Sequence, residues 1–109
     1  MDLKTFRESY DAAEDEFGKG RFNVATMLYY KSLTALCDCY IQRETNRIVT
    51  NHTQRFDVLK SLDEKVFRIM SPLFRAYRET YAGTSRSGDA KNIKDGVEKV
   101  AKLIGVDVG

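Results

Sequence analysis

The sequence predicts an all-α protein, an up-and-down bundle of four to five helices formed by residues 1–109 as a single domain. Apolar residues recur at spacings of three and four along most of the chain, and nowhere do they alternate as in a β-strand. The segment 22–40 is apolar on nearly every side, which is typical of an element at the centre of a bundle. A chain of 109 residues has room for one hydrophobic core.

The first helix is predicted over residues 3–17, with Asp2 as its N-cap. A narrow apolar seam runs along it, formed by Leu3, Phe6, Tyr10, Ala13 and Phe17. The segment Gly18-Lys19-Gly20 supplies the flexible backbone that ends this helix and reverses the chain. We therefore expect the first two helices to pack as an antiparallel hairpin.

The second helix has more apolar positions than one neighbouring helix can cover. It lies either at the centre of the bundle or with one face against a second copy of the protein. This surplus favours a homodimer. Polar residues dominate positions 42–54, so we interpret that segment as the end of the second helix and a connection.

A short third helix is predicted over residues 55–62. The segment Ser61-Leu62-Asp63-Glu64 has the form of a capping box with Ser61 as the cap, and it predicts the start of a fourth helix. Helical spacing continues to Tyr81. Pro72 falls inside this helix, where it would kink the helix or restart it with Ser71 as the cap.

The last helix is predicted to begin at Asp89, acting as the cap, and to end at Ile104 just before Gly105. Its seam consists of Ile93, Val97, Val100 and Ile104. The preceding segment, between Ala82 and Ala90, contains two glycines and two serines. That composition predicts an exposed loop and the most mobile part of the chain.

Composition excludes several functional classes. No stretch approaches the roughly 20 apolar residues of a membrane-spanning helix, and the N-terminus lacks the features of a secretory signal. Cys37 and Cys39 lie two positions apart on a helix, so they point about 200° away from each other and cannot easily share a metal or a disulfide. We expect a cytoplasmic protein without a cofactor, because motifs for nucleotide hydrolysis, zinc chemistry and serine hydrolysis are missing from the sequence.

Positive charge is concentrated in the middle of the chain. Residues 21–86 carry eleven basic and six acidic side chains, whereas the whole chain has a net charge of only +2. The basic candidates for nucleic-acid binding are Arg43, Arg55, Lys60, Arg68, Arg75 and Arg78. The last three could share one helix face. The alternative is that these side chains solvate helix surfaces or pair with acids of the first helix.

His52 is the only histidine, and Arg47 lies five positions before it. An arginine stabilises the charge of a phosphorane-like intermediate, and a histidine transfers protons near neutral pH. The pair is the minimum equipment for metal-independent RNA cleavage. The alternative is a histidine that is structural or merely exposed.

The segment FGKGRFNVATMLYYKSLTALCDCYI resembles the opening of the HEPN superfamily, the small helical domains of higher eukaryotes and prokaryotic nucleotide-binding proteins. The polar connection with His52, the Leu59 and Leu62 pair and the segment 74–81 add to the resemblance, which covers most of the chain. It implies a bundle of four or five helices and a homodimer.

Many HEPN members carry an Arg-x4-6-His motif that forms a ribonuclease site across the dimer, and Arg47 and His52 fit its spacing. In catalytic members, however, that motif lies late in the bundle, whereas here it follows the second helix. The resemblance therefore implies a non-catalytic interaction module, of the kind paired with a small nucleotidyltransferase. Two alternatives stay open: a ribonuclease with a composite Arg47 and His52 site at the dimer interface, and a helical domain that binds RNA.

Overall fold

Residues 2–108, which the computed structural model describes, fold into five α-helices and no β-strand. The helices are α1 (Lys4–Gly18), α2 (Phe22–Thr45), α3 (His52–Leu62), α4 (Glu64–Glu79) and α5 (Ser87–Ile104). A turn of 3-10 helix (Thr80–Ala82) follows α4. The prediction of an all-α bundle is confirmed.

Helix α2 is the central element of the bundle. Its 24 residues give a length of about 36 Å at 1.5 Å per residue, close to the 38 Å long axis of the molecule. It packs most extensively on α1 and α5 and also contacts α3 and α4. Tyr29, Tyr30, Leu33 and Leu36 are fully buried as a result. The other helices of the same chain therefore cover the apolar faces of α2, and a second copy is not needed for this.

The hairpin between α1 and α2 turns at Gly20, whose φ of 76° lies in the left-handed region that glycine adopts without strain. The rings of Phe17 and Phe22 meet edge-to-face across the turn, with centroids 5.3 Å apart. At the other end of α1, Asp2 Oδ1 accepts a hydrogen bond from the Lys4 backbone N–H. Leu3 occupies the cap position itself, one residue later than predicted.

A polar network ties α1, α2 and α5 together beside the core. Glu14 accepts hydrogen bonds from the Tyr29 hydroxyl at 2.6 Å and pairs with Lys94 at 2.8 Å. Tyr10 donates to Glu98 at 3.3 Å. Burial alone would raise the pKa of Glu14, but the hydrogen bonds from Lys94 and Tyr29 outweigh it and lower the pKa.

Helix α3 begins at His52, three residues before the predicted start at Arg55. Asn51 causes the early start, because its Oδ1 accepts the Gln54 backbone N–H at 2.9 Å and caps the helix. The prediction of Ser61 as the cap of α4 is wrong. Asp63 caps that helix, with Oδ1 accepting the Val66 backbone N–H at 3.2 Å, and it is the single residue between α3 and α4.

Helix α4 runs uninterrupted from Glu64 through Pro72 to Glu79, so the predicted restart at Ser71 does not occur. Pro72 is exposed, and the carbonyl that its missing N–H would have bonded is hydrated at low cost on that side. The helix was predicted to reach Tyr81, but its last turn tightens into the 3-10 segment.

Helix α5 starts at Ser87, two residues before the predicted cap. Asp89 lies in the first turn, and its Oδ2 accepts the Arg86 backbone N–H at 2.8 Å. The connection before α5 is anchored to α2, because Asn23 accepts from the Ser85 backbone N–H and donates to the Thr80 carbonyl. Gly105 ends the helix with a φ of 80°, as the sequence predicts.

The buried residues form one hydrophobic core that includes members of every α-helix. Helices α4 and α5 approach closely at Gly96, where an added Cβ would lie 2.4 Å from Leu73 Cδ1. Within residues 2–108, none of the helices combines the length and apolarity needed to cross a membrane.

Candidate functional site

A pocket of about 500 Å³ opens where α2, the start of α3 and the end of α4 meet. We call it the His52 pocket. The residues that matter for its chemistry are Tyr30, Lys31, Asn51, His52, Tyr77 and Tyr81. Sequence analysis had selected only His52 among these six as a site residue.

A buried ion pair between Arg55 and Asp38 forms the base of the pocket. Arg55 Nε and Nη2 donate to the two carboxylate oxygens of Asp38 at 2.6 and 2.8 Å. The Arg55 side chain is only 8% exposed, whereas that of Asp38 is 33% exposed. Burial would lower the pKa of Arg55, but the hydrogen bonds and charge of Asp38 raise it. The two-point contact therefore fixes the guanidinium between α2 and α3.

Arg55 also determines how His52 hydrogen-bonds. Its Nη1 lies 3.0 Å from His52 Nδ1. Since a guanidinium has donors only, Nδ1 must accept, and the neutral ring carries its proton on Nε2. Burial, and then the charge of Arg55, lower the pKa of His52. His52 is thus a neutral imidazole whose remaining ring nitrogen is a hydrogen-bond donor.

Aromatic rings surround His52. The imidazole centroid lies 4.7 Å from that of Phe74 and 5.8 Å from that of Tyr77. Tyr77 stacks on Tyr30 at 4.5 Å with an interplanar angle of 15°. Its hydroxyl lies 3.0 Å from the hydroxyl of Tyr81, whose side chain is otherwise 74% exposed. These contacts hold an aromatic wall on the α4 side of the pocket.

Two polar groups at the His52 pocket are left without partners among residues 2–108. The Tyr30 hydroxyl is buried and forms no hydrogen bond, although the residue lines the pocket. Lys31 is exposed and has no carboxylate within ion-pair distance. Buried hydroxyls are nearly always hydrogen-bonded in folded proteins, so Tyr30 marks an incomplete polar site.

Arg47 lies elsewhere. It is exposed and lines a separate shallow pocket of about 360 Å³ with Gln54 and Asp57. Its backbone N–H donates to the Thr45 hydroxyl at 3.2 Å. Within one chain, the arginine that contacts His52 is therefore Arg55 and not Arg47.

Most members of the predicted basic cluster are engaged. Arg68 pairs with Glu64 at 2.7 Å and Arg75 with Glu79 at 3.4 Å, each on the same helix. Arg43 pairs with Glu44 and donates to the Ile104 carbonyl. Arg78 lies over the ring of Phe74, and Lys60 is exposed on α3. The pairing acids belong to α2 and α4, and none of these pairs involves the first helix.

The sequence contains two signals that would have indicated the pocket. His52 and Arg55 are three positions apart, which places them on one face of a helix once α3 is known to start at His52. Lys31 is the one basic residue between Arg21 and Arg43, on a helix that is otherwise mostly apolar. Asp38 carries no comparable signal, because its partner lies 17 residues away on another helix.

Metal-ligand clusters of three or more His, Cys, Asp or Glu side chains do not occur in the described part of the chain. Cys37 is buried, which raises the pKa of its thiol, and Cys39 is partly exposed with Sγ near the Asp2 carbonyl. The two cysteines point to different sides of α2, as their spacing predicts.

The sequence and fold have no counterpart among characterised proteins. No known protein family, no curated protein and no solved structure matches this chain.

Proposed function

We propose that this protein is a non-catalytic helical interaction module that binds through the His52 pocket. The observation that carries the proposal is the hydrogen bond from Arg55 to His52 Nδ1. General acid–base catalysis needs a group that both takes up and releases a proton near neutral pH. Here Nδ1 is occupied by a guanidinium donor and Nε2 already holds its proton. This arrangement suits a hydrogen-bond donor to a ligand better than a proton shuttle.

The shape of the His52 pocket supports a binding role. Ligand sites are typically concave, of about 300 to 1,000 Å³, with apolar walls and a few oriented polar groups. The aromatic wall and the fixed His52 donor correspond to this description. Their positions depend on packed helices and on the buried Arg55–Asp38 pair, so the site is largely pre-formed.

The proposed assembly is a homodimer that works with a small nucleotidyltransferase-type partner, as the HEPN resemblance implies. Ile48 supports a contact between copies, because 77% of this apolar side chain is exposed beside Arg47. We place the protein in the cytoplasm, on the basis of its two unpaired cysteines.

Two measurements test this proposal. RNA incubated with the purified protein in the absence of divalent metal should remain intact, and light scattering at about ten micromolar, roughly −7 kcal/mol on the affinity scale, should give the mass of two chains. Ile48→Ser should shift the mass to one chain, whereas Val24→Ser, at an exposed apolar position on α2, should not. RNA cleavage that disappears in His52→Ala would overturn the non-catalytic role.

A second candidate is a metal-independent ribonuclease with Arg47 from one chain and His52 from its partner. Its support is the exposure of Arg47 and of Ile48 next to it. Mixing tests this directly. Arg47→Ala and His52→Ala would each be inactive, but a heterodimer of the two retains one site with both native residues. Recovery of activity on mixing would establish the composite site, and its absence would exclude it.

A further inference from the structure

Hydrogen-bond donors converge on one side of the His52 pocket. The Lys31 ammonium, the His52 Nε2–H and the Asn51 amide group belong to residues that line it. Asn51 uses Oδ1 to cap α3, so its Nδ2 donors stay free. The N-terminus of the 11-residue α3 adds the positive end of a helix dipole and the unpaired N–H groups of its first turn.

The electrostatic balance of the pocket is positive. Among the described residues, no carboxylate lines it, and the nearby Asp38 is neutralised by Arg55 through both oxygens. Lys31 therefore contributes a positive charge that the protein does not compensate locally. Tyr30, only 1% exposed, adds a hydroxyl that lacks a partner. This side of the pocket fits an oxyanion.

The opposite side fits a planar ring. Tyr81 presents an exposed aromatic face, and its hydrogen-bonded contact with Tyr77 restrains it. Met27 and Leu28 add apolar surface to the lining. Stacking of a nucleobase on an aromatic side chain contributes about 1–3 kcal/mol and tolerates any base.

We propose that the His52 pocket binds one nucleotide unit, with its phosphate against Lys31 and His52 and its base against Tyr81. The inference rests on the proposed function, because it uses His52 as a hydrogen-bond donor. The same phosphate and base are offered by a free mononucleotide and by the 5′ end of a single-stranded RNA. The pocket volume accommodates one such unit and leaves a longer strand to continue over the surface.

The experiment is an NMR titration of the ¹⁵N-labelled full chain. The probes are AMP, adenosine, inorganic phosphate and a 5′-phosphorylated oligoadenylate RNA, each added to about 5 mM, near the weak end of measurable affinity. AMP should shift the amide signals of Lys31, Asn51 and His52. Adenosine and phosphate should each bind at least about tenfold more weakly, because each lacks half of the recognised group.

Variants assign the contacts. Lys31→Met should weaken AMP binding about tenfold or more, and Tyr81→Ala should weaken it by a similar factor, equivalent to about 1.4 kcal/mol. Lys60→Met is the matched control, since Lys60 is an exposed lysine outside the pocket. Unchanged spectra of the free variants away from the substituted site verify that they fold.

The outcomes are separable. Tighter binding of the RNA than of AMP identifies a strand end as the ligand, and equal binding identifies the free nucleotide. If AMP and the RNA both leave the pocket signals unmoved, or if Lys31→Met binds like the wild type, the inference is wrong while the non-catalytic role stands. Shortening of the RNA on a gel from the same samples would instead overturn the proposed function.

Discussion

Breaking the Arg55–Asp38 pair should have an asymmetric effect on stability. Asp38→Asn leaves the guanidinium charged, because arginine does not deprotonate in proteins, and its side chain is only 8% exposed. A buried charge that loses its partner costs about 3–5 kcal/mol. Asn keeps one acceptor oxygen, so we expect the free energy of unfolding to fall by about 3 kcal/mol, at the lower end of that range.

Arg55→Met should cost less. The apolar stem of arginine is replaced by a side chain of similar shape, and the Asp38 carboxylate, 33% exposed, regains water when its partner is removed. The remaining loss is that of the hydrogen bonds to Asp38 and His52, about 1–2 kcal/mol after rehydration. The double variant should therefore be more stable than Asp38→Asn alone.

Urea unfolding followed by far-UV circular dichroism measures these differences. Arg68→Met is the control, because Arg68 and Glu64 form a pair of similar length whose side chains are 73% and 65% exposed. It should change the free energy of unfolding by less than about 0.5 kcal/mol. The reasoning would be refuted if Arg55→Met cost as much as Asp38→Asn, or if the double variant were the least stable of the three.

Three further predictions concern the packing and the site. Gly96→Val should destabilise the protein by about 1–3 kcal/mol in thermal unfolding, because its Cβ would overlap Leu73, and a wild-type melting temperature would contradict this. Asn51→Ala should cost about 1 kcal/mol through loss of the α3 cap, measured in urea. The folded-state pKa of His52 is lowered, so stability should decrease as the pH falls below about 6.5, where the unfolded chain takes up a proton that the folded chain does not. His52→Gln should remove that part of the pH dependence.

The helices were predictable because their signals are local. Apolar spacing along α1, α2 and α5 reports which side of each helix is buried, and Gly20 and Gly105 mark turns that need a positive φ. The predicted cap at Ser61 was wrong because Ser61 and Asp63 are both good cap residues in sequence. Only the change of direction between α3 and α4 selects Asp63.

The candidate site was predictable only in part. His52 was recognised as a chemical group, but it was joined to Arg47 because the two are close in sequence. The polar run 42–54 hides the start of α3, and without that start the helical relation of His52 to Arg55 is not visible. Asp38, Tyr77 and Tyr81 reach the pocket from other helices, so no local spacing connects them to His52.

By itself, the sequence determined that the chain is helical, that α2 lies at the centre of apolar packing and that His52 is the only histidine. Secondary structure and amphipathicity depend on neighbours within a few positions, and those are written directly in the sequence. The tertiary structure decided that Arg55 holds His52, that Arg47 faces elsewhere and that α2 is covered within one chain. Those relations depend on how helices far apart in sequence pack, because packing sets which side chains meet.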